Sequence, residues 1–319
     1  MEQVQQQRNL VRPKRKKASR IDWKKMKKMR ILYLFLLLPV AFLLVFQYMP
    51  IYGVLIAFKK FRYADGIIGS EWNNFAHFKN IFTDFYFRRA FWNTIRISLL
   101  GIILVFPLPI IFALMLNELK AVVFKRIVQS ISYLPHFLSW VVIGGFVYQI
   151  LSPKVGVFNY VLSWFNIKPI FFMTEVSMFL PILMSSQVWQ TVGWSSIIYL
   201  AAISAIDPSL YESASLDGAN RLQKAMYITI PSIVPAITIL FILGLANILS
   251  GNFDQIYNMY NPLVMEVADV IDTYVYRKGL LESKFDYAAA VGLFQSVIGL
   301  IFLYSANKII KRYSDYGIW

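Results

Sequence analysis

An all-α membrane protein with six transmembrane helices is the fold class this sequence predicts, and three observations predict it. Of its 319 residues, 58% are hydrophobic and only 15% charged, with a mean hydropathy of +0.54; soluble domains are far less apolar. Six apolar runs recur along the chain, each close to the ~20 residues that cross a bilayer core. A basic block precedes the first run: 12 of the 32 Lys and Arg residues lie in the first 30 positions. That placement reads as a cytoplasmic flank held near anionic lipid headgroups, or as a solvated arm, and not as a nucleic-acid surface.

The first run, 31–49, is uncharged and lacks a small-residue cleavage site, so it reads as an uncleaved helix rather than a signal peptide. The others fall at 92–117, 131–151, 176–203, 232–250 and 287–308. Pro107 and Pro109 in the second and Pro181 in the fourth predict kinked helices inside a bundle, where neighbours can satisfy freed carbonyls. In the loop 50–91, Phe75, Phe78, Phe82 and Phe85 recur at helical spacing, which predicts an amphipathic packing helix. Six spans put both termini on one side. The positive-inside rule, carried mainly by the N-terminal block, makes that side the cytoplasm. The expected organisation is a basic arm over 1–30 followed by a transmembrane domain over 31–319.

Chemistry is largely missing. There is no G-x-x-x-x-G-K-[ST], no H-E-x-x-H and no cysteine, so neither a phosphate-cradling loop nor a thiolate metal site is present. No catalytic residue and no metal ligand is assigned. His77 and His136, the only histidines, read as an interfacial and a helix-end residue. A membrane-embedded transferase would have to use loop carboxylates such as Asp254, Asp269 and Asp272. The spans hold almost no ionisable side chain, and Arg96 lies near enough to an end to snorkel. A carrier driven by an ion gradient normally needs buried titratable groups or broken helices. The energy for any uphill movement is therefore expected from a partner, with a stand-alone carrier or channel for a polar solute as the alternative.

Between the fourth and fifth spans, the polar stretch 204–231 faces the cytoplasm. Asp207 can cap a helix whose first position is Pro208, where a missing N–H is harmless. That helix should run through Leu216, turn at Asp217-Gly218, and give way to a second helix over 219–229 before Pro231 enters the next span. This hairpin resembles the EAA loop of permease subunits of binding-protein-dependent ABC importers: E-A-A, three residues, Gly, nine residues, Ile, any residue, Leu, Pro. Here Glu212, Ser213 and Ala214 are followed in register by Gly218, Ile228, Ile230 and Pro231. Ser213 and Ile230 depart conservatively, and "DGA" at Asp217, Gly218 and Ala219 is intact.

Other stretches look like the branch of maltose-type carbohydrate permeases that imports complex oligosaccharides: "NT" at 93–94, "FKRIVQSISYLPHFLSWVV" and "YNPLVMEVADVIDTYVYRKGL". The resemblance implies a type I ABC importer permease fold and a non-catalytic chain that binds no cofactor. It also implies a second permease subunit, expected to be a different chain, two cytoplasmic ATPases holding ATP and Mg2+, and an extracytoplasmic sugar-binding protein. The hairpin would dock on an ATPase, with Glu212 as a polar anchor and Gly218 setting its angle.

For the sugar, hydroxyls need polar partners and ring C–H faces need aromatic ones. Gln187, Gln190, Thr191 and Trp194 form a stripe on the fourth span. Asn247, Ser250, Gly251 and Asp254 would share a face of the fifth if that helix continued. Two readings stand for these residues, interhelical hydrogen bonding and a substrate path, while Trp189 and Tyr257 could instead be interfacial belt residues.

Overall fold

The structure is a computed structural model that describes residues 29–250 and 252–313. The basic arm 1–30 thus lies almost wholly outside the described residues, as does Gly251. Internal contacts separate a first unit ending at Val54 from a second beginning at Leu55.

The first unit is built on α1, Arg30–Leu43, with a π turn at Leu44–Tyr48, and the helical run continues to Phe58. It is longer than the predicted 31–49. Its apolar side chains are exposed, as suits a surface meant for lipid or for another apolar face.

The second unit opens with a short antiparallel pair, β1 (Lys59–Lys60) and β2 (Glu71–Trp72), linked through α2 (Gly66–Gly69). The phenylalanine stripe does not form one helix. Phe75 precedes α3 (Ala76–Thr83) with φ +61°, and Phe85 opens the next helix; the side chain that α3 buries completely is Ile81. Asp84 breaks the stripe, because its carboxylate accepts from the Tyr86 and Phe87 N–H groups at 2.7 and 3.1 Å and so starts a new helix.

That helix, α4 (Phe85–Leu100), runs on through a π turn at Gly101–Val105 into α5 (Pro107–Glu118). It begins seven residues before the predicted 92. A recurring device precedes three prolines: π turns at Leu44–Tyr48, Gly101–Val105 and Ala225–Thr229 each end two residues before Pro50, Pro107 and Pro231. A proline lacks the N–H its helix needs and crowds the carbonyl four residues back, and a widened turn relieves both. The helical runs therefore continue past these prolines.

The predicted span at 131–151 is not one continuous helix. α6 (Val122–Tyr133) passes through a 3₁₀ turn at Leu134–Phe137, and α7 (Trp140–Ile150) departs at 103° to it. Pro135 sits in the turn, Leu138 is extended, and Ser139 caps α7 through its hydroxyl to the Val142 N–H, so local chemistry stops one helix and starts another. After α8 (Val157–Ser163), α9 (Val176–Ser204) matches the predicted 176–203 almost residue for residue. Pro181 lies within it unbroken.

α10 (Pro208–Leu216) and α11 (Arg221–Lys224) form the polar hairpin, and α12 (Ile230–Ala246) follows. The second limb is not separated from the next span at Pro231: one helical run extends from Arg221 to Ala246. That run ends before Asn247 (φ −99°, ψ 15°), so the predicted helix to 250 and a shared face for Asn247, Ser250 and Asp254 do not form. Three short helices come next, α13 (Phe253–Met259), α14 (Met265–Ala268) and α15 (Ile271–Tyr276), before α16 (Phe285–Tyr313).

Among the described residues, Arg30–Phe58, Phe85–Glu118, Arg221–Ala246 and Phe285–Arg312 are long and apolar enough to cross a membrane, and the bent pair could make a fifth crossing. α9 is as long but falls short on composition because of its glutamines, serines and threonine. Its backbone is packed tightly against α6: a Cβ on Gly193 would meet the Ser132 carbonyl. Phe179 and Leu183 of α9 pack with Ile256 and Met259 of α13, while Tyr199 and Ile203 pack with Ala113 and Ile233.

The short helices 253–284 are held by buried polar clamps. Asn93 donates to the Glu266 and Asp269 carbonyls at 2.9 and 3.0 Å, and Thr94 accepts from the Ile271 N–H at 2.9 Å. The "NT" pair is thus a clasp between α4 and this segment. Asp269, fully buried, accepts from both terminal guanidinium nitrogens of Arg277 at 3.1 and 2.7 Å and from the Thr273 hydroxyl at 2.9 Å. Burial alone would lower the Arg277 pKa, but the hydrogen bonds and charge of Asp269 outweigh it and hold the guanidinium above its ordinary value. Asp272 accepts from Gln295 at 2.9 Å. The carboxylates imagined for a transferase are therefore structural at Asp269 and Asp272, and Asp254 stands apart on α13.

Candidate functional site

Two features of the second unit can carry function: a cavity between helices and the polar hairpin. The cavity holds about 670 Å³ and lies among α4, its π turn, the start of α5, α9, α12 and Asn247, Ile248, Ser250 and Asn252. Its volume falls within the roughly 300–1,000 Å³ of small-molecule sites. Gln187, Thr191, Trp194 and Asn247 line it, as does Ser250. Gln190 does not. It is buried on another face of α9, with its amide 3.4 Å from the Leu138 carbonyl, because one residue along a helix turns a side chain by about 100°. Asp254 is also absent from the wall and stays exposed on α13.

The polar groups on the wall differ in what they can offer. Thr191 already bonds the Gln187 carbonyl at 2.7 Å, and Asn247 bonds the Leu243 carbonyl at 3.2 Å. The Gln187 amide has no partner among the described residues, so it is the group most open to a ligand hydroxyl. Trp194 stacks on His136 at 4.6 Å between centroids and remains 42% exposed. Sequence reasoning missed Ser98, Gly101 and Asn252 on this wall. Ser98 has a local signal, a lone hydroxyl one turn beyond Thr94, but its link to the Ile248 carbonyl spans 150 residues and no local pattern announces it.

The hairpin is built by short-range chemistry. Asp207 caps α10, accepting from the Ser209 N–H at 2.9 Å, and that bond lowers the Asp207 pKa. Gly218 has φ +77°, where a Cβ is disfavoured. The second limb starts at Arg221 and not at Ala219, because Asn220 and Gln223 form a reciprocal capping box at 2.7 and 2.9 Å. Two bonds tie the limbs together, Lys224 to the Ser215 hydroxyl at 2.7 Å and Tyr211 with Thr229 at 2.9 Å. Ser213 returns its hydroxyl to the Ser209 carbonyl at 2.9 Å, which explains why it can stand where the pattern has alanine. A depression of about 290 Å³ is lined by Ala214, Asp217, Gly218, Ala219 and Ile228. Glu212 and Pro231 lie outside it and are exposed, and Glu212 has no partner among the described residues.

What the hairpin exposes is as telling as what it bonds. Leu216 at its tip is 90% exposed, Tyr227 80% and Leu222 71%, with Met226 beside them. These are large apolar side chains left uncovered on a polar projection.

Residues 105–314 match the model of binding-protein-dependent transport system inner membrane components. The chain belongs to that family. This inner membrane component is 39% identical over 91% of its length, and 90% of the relative's, to the polygalacturonan/rhamnogalacturonan transport system permease protein YteP of Bacillus subtilis (strain 168). Among solved structures it matches a chain of a bacterial ABC transporter involved in the import of the acidic polysaccharide alginate, with TM-score 0.84 and 42% identity, over 91% of this chain and 98% of that one. It also matches a chain of a bacterial alginate ABC transporter in complex with an alginate pentasaccharide-bound periplasmic protein, with TM-score 0.85 and 41% identity, over 93% and 99% of the two chains. The inner membrane component is thus a multi-pass membrane protein with the type I ABC permease fold.

Proposed function

We propose that this chain is the permease subunit of an ATP-driven ABC importer for oligosaccharides, coupling ATP hydrolysis by partner subunits to sugar movement across the cell membrane. The observation that carries the reading is the whole-chain likeness to permeases named for polygalacturonan/rhamnogalacturonan and to a solved alginate importer. Those names favour oligosaccharides cut from acidic polysaccharides as the substrate class.

The residues and the family likeness support a fuller arrangement. Six crossings are reached by counting the bent pair α6–α7 as one and by admitting α9, whose polar face lines the cavity instead of meeting lipid. Both termini then face the cytoplasm, and 1–30 is a basic cytoplasmic arm ahead of the domain 31–319. Glu212 to Pro231 form the coupling surface, with the exposed apolar residues of the hairpin filling a cleft in an ATPase. A short, capped helix pair transmits a rigid-body displacement that a flexible loop would absorb. Gln187, Thr191, Trp194 and Asn247 are the sugar path. A second, different permease chain, two ATPases carrying ATP and Mg2+, and an extracytoplasmic sugar-binding protein complete the machine; no catalysis resides in this chain.

The test is co-purification with a cytoplasmic ATPase, followed by uptake of labelled trigalacturonate into proteoliposomes with and without ATP. ATP-dependent uptake that also requires the binding protein is expected. Solute flux by the purified chain alone would favour a stand-alone carrier or channel instead.

A further inference from the structure

Four aromatic rings gather where the cavity wall gives way to the segment 252–284. Phe253 and Tyr257 lie one turn apart on α13, Tyr260 follows its last residue in extended backbone, and Tyr276 ends α15. Phe253 and Tyr257 stack at 5.2 Å with 19° between planes; Tyr257 meets Tyr276 edge-on at 5.0 Å and lies tilted by 39° against Tyr260 at 6.0 Å. The Tyr257 and Tyr276 hydroxyls are 3.4 Å apart.

Rings of this size usually bury themselves when they cluster. Here Tyr257 stays 39% exposed and the other three are only part-buried. The support beneath is rigid: Gln255, Ile256 and Met259 on the opposite face of α13 are fully buried, and Gln255 donates to the Leu183 carbonyl of α9 at 2.7 Å. Behind Tyr276, Arg277 is locked to Asp269. Asn252, immediately before Phe253, lines the cavity, so the rings begin where its wall ends.

The geometry points to an aromatic shelf at the outer mouth of the cavity, formed by Phe253, Tyr257, Tyr260 and Tyr276, that takes a pyranose ring of the incoming oligosaccharide. The shelf rests on the oligosaccharide-importer reading and its orientation. A pyranose presents a C–H face that lies on an aromatic ring, while its equatorial hydroxyls reach sideways to groups such as the paired phenols. A held, partly exposed ring cluster suits that two-sided surface, since tyrosine offers an apolar face and a polar tip together. Rings acting only as a lipid-interface belt would need neither the mutual stacking nor the anchored support.

The test is uptake of radiolabelled trigalacturonate, with maltotriose as a neutral arm, in cells carrying the complete transporter and its binding protein. Tyr257→Ala and Tyr276→Ala are expected to raise KM about two- to tenfold, the scale of one lost aromatic contact, with Vmax within twofold and normal membrane abundance. Tyr257→Phe, which keeps the ring, recovers most of the affinity, whereas Tyr257→Leu, equally apolar, does not. Trp164→Ala, an exposed aromatic remote from the shelf in sequence, leaves KM unchanged. An unchanged KM in both alanine variants, or equal recovery by Leu and Phe, overturns the shelf while leaving the importer reading intact. Absence of wild-type uptake of either sugar overturns the importer reading and the shelf with it. Should an alanine variant fail to accumulate, the Phe and Leu pair still decides.

Discussion

The hairpin 207–231 and the segment 252–284 are both polar interruptions between apolar helices, yet they treat their side chains in opposite ways. In the segment, polar groups are buried and satisfy one another over long sequence distances: Asn93 with Asp269, Thr94 with Ile271, Gln255 with Leu183. In the hairpin, polar groups satisfy the backbone within a few residues, and the apolar side chains are left outside. The first pattern makes an internal brace. The second makes a locally capped projection that leaves large apolar side chains exposed.

That contrast can be broken first at Asp269. Asp269→Ala leaves Arg277 part-buried without its partner, and losing one side of a buried pair costs about 3–5 kcal/mol. The expected outcome is a large drop in thermal stability of the purified protein. The double variant Asp269→Leu with Arg277→Met should recover most of it; a single variant as stable as wild type would remove the brace from the account.

The hairpin should show the reverse. Leu216→Glu and Met226→Glu alter exposed side chains, so stability should stay within about 0.5 kcal/mol. ATPase co-purification, however, should fall at least about tenfold, near 1.4 kcal/mol of binding free energy. Gly218→Val forces a β-branched residue to φ +77° and should cost about 1–2 kcal/mol of hairpin geometry, read as ATP hydrolysis that no longer tracks uptake.

Smaller still is the surface triad in which Lys284, then Lys278, holds the Glu282 carboxyl below its ordinary value. A depressed carboxyl stabilises the fold above its unfolded pKa and loses that contribution as pH falls through the lowered one. Lys284→Met should therefore shift the acid limb of a stability profile slightly, by no more than about 0.5 kcal/mol for so exposed a pair. Neutral-pH uptake should be unchanged.

How much could be read from sequence follows the same division. The Asp207 cap, the Gly218 turn and the extent of α9 were legible because each depends on neighbours in the chain. The limb begins at Arg221 because Asn220 and Gln223 form a capping box, a signal that is also local. The 103° break before Trp140 was hidden inside an apolar run, where hydropathy does not distinguish a straight helix from two bent ones. At the cavity, the helical stripe points to Gln187, Thr191 and Trp194, which line it, whereas Gln190 faces the Leu138 carbonyl in the bend before α7, a position that only the fold reveals. The clasp by Asn93 and Thr94 joins residues more than 170 positions apart, and composition holds no trace of it.

The central claim is that energy enters through the hairpin's exposed apolar tip, and the chain's lack of cysteine makes it directly testable. A single Leu216→Cys variant, assembled with its ATPases in membrane vesicles, should cross-link to an ATPase subunit through a short thiol reagent, with a yield that changes on adding ATP. A Tyr257→Cys variant should not cross-link to it. Labelling of Leu216→Cys only by an impermeant reagent on the extracytoplasmic side, with no ATPase adduct, would contradict the account.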